Sequence, residues 1–111
     1  MGMARTDQLQ GALDLLVLRV LSSGEPFHGY AITEQIQRVS EDVLRVQEGS
    51  LYPALHRMEE AGWIRSKWGV SENSRRARYY AISAAGRRRF AQLERDWVKH
   101  VQAVTRVMKL A

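Results

Sequence analysis

Cysteine is absent from the sequence. That excludes disulfides and thiolate metal sites, and it favours a reducing, cytoplasmic setting. No apolar run approaches the roughly 20 residues that a membrane span needs, so no membrane association is expected. The first ten residues, Met1 to Gln10, are polar and lack the apolar core of a signal peptide. Glycine-rich phosphate loops are missing too. Ser50, Ser66 and Ser71 lack the strand-turn-helix setting of a nucleophile elbow. His28, His56 and His100 fall on three different predicted helices without metal-ligand spacing. The sequence therefore predicts no enzyme, no cofactor and no metal site.

Acidic residues are scarce in the second half only. Residues 1–61 hold five Lys/Arg and nine Asp/Glu, a net of −4, whereas residues 62–111 hold twelve and three, a net of +9. Any surface for a polyanion must come mostly from the second half. With 111 residues the chain is one domain with a modest core.

The most informative stretch runs from Glu48 to Gly62. Gly49 and Ser50 supply a helix start, Pro53 suits a first turn, and Gly62 suits a left-handed end. Leu51, Ala54, Leu55 and Met58 share one face at helical spacing. The opposite face carries Pro53, His56, Arg57 and Glu60, with Tyr52 at its edge. A helix from Ser50 to Ala61 thus offers a row of hydrogen-bonding side chains, as a DNA recognition helix does. His56 and Arg57 are its candidate base readers.

Upstream, Leu13, Leu16, Val17, Val20 and Leu21 make an amphipathic stripe over residues 8–22. Leu9, Leu15 and Leu18 lie off it, which points to a second partner such as another subunit. A breaker cluster, Ser22 to Pro26, precedes a helix over His28–Val39 with Ile32, Ile36 and Val39 inward. Tyr30 lies opposite that stripe, where it either reaches a phosphate or caps the core or a subunit contact. Ser40 to Gln47 is a connector pinned by Val43, Leu44 and Val46. Its length suits a winged helix-turn-helix better than the simplest kind.

After Gly62 the period changes to 2. Ile64 and Trp68 face one way, Arg65 and Lys67 the other. A polar tip, residues 69–74, leads to a returning strand from Arg75 to Ile82. Arg75, Arg76 and Arg78 cluster by the tip, so with Lys67 this hairpin reads as a phosphate-contacting wing. Ser83 then caps a helix running to Leu110. Phe90, Leu93, Trp97, His100, Val104 and Val107 form a heptad seam, and Val98, Val101 and Met108 a second apolar edge. Such a helix is too long for this domain to bury alone, which predicts a homodimer. The fold class expected is mainly α with a small β-hairpin: a winged helix-turn-helix DNA-binding domain over 1–83, and a C-terminal dimerisation helix over 84–111, as one structural unit. Leu15, Leu18, Phe90, Leu93, Trp97, Val101, Val104 and Met108 are the candidate dimer residues.

This order of elements resembles the PadR family of bacterial transcriptional regulators. Leu13–Leu18 is similar to its first helix, Phe27-His28-Gly29-Tyr30 to its H-G-Y motif, and Glu48–Leu55 to its recognition-helix signature. Gly62-Trp63-Ile64, Arg78-Tyr79-Tyr80 and Ser83–Gly86 match its wing strands and last helix. The resemblance spans roughly residues 8 to 108. It implies a homodimeric repressor of the compact kind with a single C-terminal helix, acting on double-stranded promoter DNA. Some members of that family are released by planar aromatic compounds. Trp97 lies midway along the dimerising helix, where two-fold symmetry brings both copies together either as packing of the dimer core or as an apolar slot. With His100 one turn on as a polar handle, these are the candidate ligand residues for a small aromatic effector.

The DNA contacts expected are Tyr30, Ser50, Tyr52, Pro53, His56, Arg57, Lys67, Arg75, Arg76 and Arg78. The alternative is a small dimeric module that binds protein or RNA without reading duplex sequence. Duplex RNA hides its major-groove base edges, so a helix with a wing points to DNA.

Overall fold

The computed structural model describes residues 2–110, with side chains described from Gly11 onward. The expectations for Met1 to Gln10, and the off-stripe placement of Leu9, lie outside the described side chains. Seven elements follow in order: α1 (Gly2–Leu21), β1 (Phe27–His28), α2 (Gly29–Val39), α3 (Glu48–Glu60), β2 (Ile64–Val70), β3 (Arg76–Ile82) and α4 (Ala84–Met108).

The expected winged helix-turn-helix order is present, with one addition. Besides the hairpin there is a third strand, β1, giving an antiparallel sheet in the order β1-β3-β2. Its two residues pair as Phe27 with Tyr80 and His28 with Tyr79. Two residues are too few to show a period, so the strand is invisible in sequence. In the hairpin, Ile64 pairs with Ile82, Lys67 with Tyr79 and Val70 with Arg76.

The core joins α1, α2, α3 and the sheet through Val17, Leu18, Leu21, Ile32, Leu51, Leu55, Met58 and Ile64, all essentially inaccessible. Burying one such side chain stabilises by about 1.5–3 kcal/mol. Leu18 departs from expectation. It is fully buried inside this chain, because α1 packs against α2, α3, β3 and α4. Leu15 stays half-buried toward α4. Val39 and Val43 face solvent rather than the core, and Val46 alone pins the connector. There the backbone turns through Glu41 and Asp42, both left-handed (φ 54 and 67), while the Ser40 hydroxyl accepts from Leu44 N at 2.9 Å.

Helix ends follow local chemistry. His28 caps α2, its Nδ1 accepting from Ala31 N at 3.2 Å. Helix α3 begins at Glu48, whose carboxylate suits the positive end of the helix. Pro53 therefore lies in the second turn, not the first, and leaves the Gly49 carbonyl without its helical donor. Gly62 ends α3 at φ +82, the left-handed conformation expected of it. Ser83 caps α4 by accepting from Gly86 N at 3.0 Å, and it donates to the Gly62 carbonyl at 2.6 Å. Gly86 makes this junction possible: a Cβ there would lie 2.0 Å from the Trp63 carbonyl oxygen.

Helix α4 buries little of itself. Only Gly86 and Leu93 are buried, and Phe90 is partly packed on the core. Trp97, Val98, Val101, Val104, Val107 and Met108 are all exposed, the last at 78%. At 25 residues the helix is about 37 Å long, more than the two shorter extents of the chain, 29 and 27 Å.

Candidate nucleic-acid interface

The inner face of α3 is apolar, as its spacing predicts: Leu51, Ala54, Leu55 and Met58 are buried. The face left outside consists of Ser50, Tyr52, Pro53, His56 and Glu60. His56 contacts Glu60 one turn on, at 2.6 Å between Nε2 and the carboxylate, with both side chains largely in solvent. A neutral imidazole with Nε2–H donates there, and a protonated one makes an ion pair.

Arg57 does not join that outer face. Its guanidinium forms a bidentate pair with Asp14 of α1, at 2.9 and 2.8 Å. Asp14 is 4% exposed and Arg57 39%. The expected place of Arg57 on the outer face is corrected: the residue borders both faces of α3 and a buried carboxylate holds its fork, which leaves His56 as the outer of the two candidate base readers. Asp14 raises the Arg57 pKa above its ordinary value, chiefly by accepting these hydrogen bonds, against a smaller opposing effect of burial. Removing Arg57 would strand a buried charge, at a cost of about 3–5 kcal/mol. Asp14 escaped sequence reasoning, although a lone carboxylate among Leu13, Leu15 and Leu16 was the signal that could have found it.

The wing carries its cations outward. Lys67, Arg75 and Arg76 are exposed. Trp68, expected to face the same way as Ile64, is 55% exposed whereas Ile64 is buried, because the hairpin extends beyond the core at that level. Its ring lies under the Arg76 guanidinium at 4.6 Å and the Arg78 guanidinium at 5.8 Å. Cation–π contacts of this kind reduce the freedom of the arginines. Arg78 is engaged further: its Nε donates to Ser66 Oγ at 2.7 Å, and Ser66 donates to Glu59 at 2.6 Å. The Glu59 carboxylate also lies 3.7 Å from Arg78. Arg78 is thus partly neutralised inside the protein, unlike Arg75 and Arg76.

A groove of about 670 Å³ separates the wing from α2 and brings Tyr30, Tyr52, Arg75, Arg76 and Arg78 together along one side of the molecule. Tyr30 is 64% exposed. The Tyr52 ring lies across Gly29 so closely that a Cβ there would meet its hydroxyl at 2.6 Å. Glycine in the H-G-Y segment is what lets α2 and α3 approach.

A second groove, about 550 Å³, runs between α1 and α4. Leu15, Trp63, Arg89, Leu93, Trp97 and His100 line it, and the Asp14–Arg57 pair sits at its wall. The Trp97 and His100 rings are 5.6 Å apart. Arg89 stacks over Trp63 at 4.9 Å, and its buried Nε has no hydrogen-bond partner among the described residues. Among the described residues, no cluster of three or more metal-ligating side chains occurs, and no helix is long and apolar enough to cross a membrane.

The whole arrangement has close structural counterparts. A transcriptional regulator from Clostridium thermocellum matches with a TM-score of 0.82 at 28% identity, covering 93% of this chain and 99% of its own. A PadR family transcription regulator from Clostridium difficile matches at 0.71 with 26% identity, covering 86% and 97%. In sequence, an uncharacterized protein from Lysinibacillus sphaericus is 26% identical over 97 residues, 87% of this chain and 88% of that one. Residues 17–92, which include the helix-turn-helix, the wing and the start of α4, match the transcriptional regulator PadR-like family, and the chain belongs to it.

Proposed function

We propose that this regulator binds duplex DNA as a homodimer at an inverted-repeat operator, and that it represses the promoter it occludes, in the cytoplasm. The observation that carries the reading is the shared side of α3 and the wing. Ser50, Tyr52, Pro53 and His56 project from α3, while Arg75 and Arg76 stand exposed at the tip of the hairpin. A helix of this width fits a major groove, and the cations beside it meet the flanking phosphates. Tyr30 and Lys67 add polar contacts at the edge, and Arg78 contributes through Trp68 and Glu59 rather than as a free charge.

Dimerisation is supported by the apolar row that α4 leaves outside. Trp97, Val98, Val101 and Val104 are each between 43 and 47% exposed, and they continue the strip begun by Leu15, Phe90 and Leu93. A second copy laid against this strip removes it from water. Two-fold symmetry then sets the half-sites about one helical turn, roughly 10 base pairs, apart.

The α1/α4 groove supports an effector reading. Trp97 offers a stacking face for a planar aromatic compound, and His100 a polar handle. Binding there would release the operator. Gel shifts with duplex DNA, using single-stranded RNA as competitor, test the main reading. Retained duplex complexes are expected; loss of all binding to the RNA competitor would overturn it.

A further inference from the structure

Helix α3 is held by contacts of two kinds. Its apolar inner face packs into the core through Leu51, Ala54, Leu55 and Met58. Two polar ties fix direction. Glu59 reaches Ser66 and Arg78 on the wing, and Arg57 reaches Asp14 on α1. The first tie binds α3 to the hairpin. The second binds it to the helix that packs along α4.

We propose that Arg57 is a positioning residue whose two-pronged grip on Asp14 sets the angle of α3 against the α1–α4 scaffold, and so sets the half-site spacing the dimer accepts. This rests on the duplex-binding reading above. Arginine suits the task because its planar fork makes two parallel hydrogen bonds to one carboxylate, whereas lysine offers a point charge. With Arg57 in place Asp14 is 4% exposed, so water has little access to its carboxylate. No other ion pair reaches Asp14 among the described residues. Arg57 also lines the α1/α4 groove beside Trp97 and His100. The tie thus stands where the DNA-facing helix meets the scaffold. Any change of orientation there is carried to both half-sites, because the scaffold relates them.

The test compares three duplexes by fluorescence anisotropy with the full chain: an operator selected from random pools, the same operator with one base pair added between half-sites, and random duplex. One added pair rotates a half-site by roughly 35°, so the unchanged protein should lose at least about tenfold in affinity. Arg57→Lys keeps the charge and loses the fork. It should bind the matched operator about tenfold more weakly, bind random duplex within about twofold of normal, and show a spacing penalty reduced to about two- to threefold. The double variant Asp14→Leu with Arg57→Met removes both charges without stranding either, and should relax spacing in the same way. Either variant keeping the normal ratio between matched and lengthened operators would overturn the proposal, because a residue that only stabilises the fold leaves that ratio alone. Equal losses on operator and random duplex would make Arg57 a phosphate contact and overturn it as well. If the unaltered protein shows no preference for any duplex, the duplex reading itself fails and the proposal falls with it.

Discussion

Replacing Arg75 and Arg76 by alanine removes two exposed cations from each wing, four from a dimer. Neither residue has a carboxylate partner among the ion pairs of the described residues, and Arg76 is held only by the Trp68 ring. Neutralising a phosphate in B-DNA contributes a slope of about −0.9 to log K against log salt. If all four cations meet phosphates, the variant should lose about 3.6 units of slope. Between 50 and 200 mM salt the unchanged protein should then weaken on the order of 100-fold more than the variant. Random duplex should show the same loss as operator, because phosphates carry no sequence. Arg78→Ala should change the slope less, because Glu59 already offsets part of its charge. Titrations at four salt concentrations measure these slopes. An unchanged slope in the double variant would remove the wing from the interface.

Gly86→Ala would press a methyl group to 2.0 Å from the Trp63 carbonyl, where ordinary contact begins near 3.4 Å. Such overpacking costs about 1–3 kcal/mol, against a helix-propensity gain of at most about 1 kcal/mol; calorimetry should find a lower Tm, and an unchanged one would mean the junction is looser than described. Burial raises the Tyr80 pKa, so the folded state keeps this proton longer than the unfolded one. Its contribution is complete below about pH 10 and declines as pH rises above that, which denaturant titrations across pH 8 to 11 should register as falling stability. Titration with planar aromatics should quench tryptophan fluorescence, and Trp97→Ala should cut the response to what Trp63 in the same groove contributes, with the dimer intact; dissociation of that variant, with no response from the unaltered protein, would make Trp97 a packing residue alone.

Much of this molecule is legible in its sequence where a local rule governs. Helix α3 announces itself by the spacing of Leu51, Ala54, Leu55 and Met58 and by Gly62, whose left-handed backbone the structure contains. The hairpin is read from the change of period, and α4 from the Ser83 cap and the heptad seam. What escapes depends on partners distant in sequence. A helical wheel assigns Arg57 to a side of α3, but not to a carboxylate 43 residues earlier. The helical wheel offers Leu18 to another subunit because sequence does not show that α1 is enclosed by α2, α3, β3 and α4. Trp68 keeps the alternation of its strand, yet the core ends before it. Strand β1 exists only because β3 offers it an edge, so no pattern in two residues reveals it.

Selection of bound sequences from a random duplex pool tests the proposed role most directly. Two α3 helices related by a two-fold axis should enrich an inverted repeat with half-site centres about 10 base pairs apart. Enrichment of no sequence, or of a single asymmetric half-site, would contradict a symmetric dimer that reads DNA through α3.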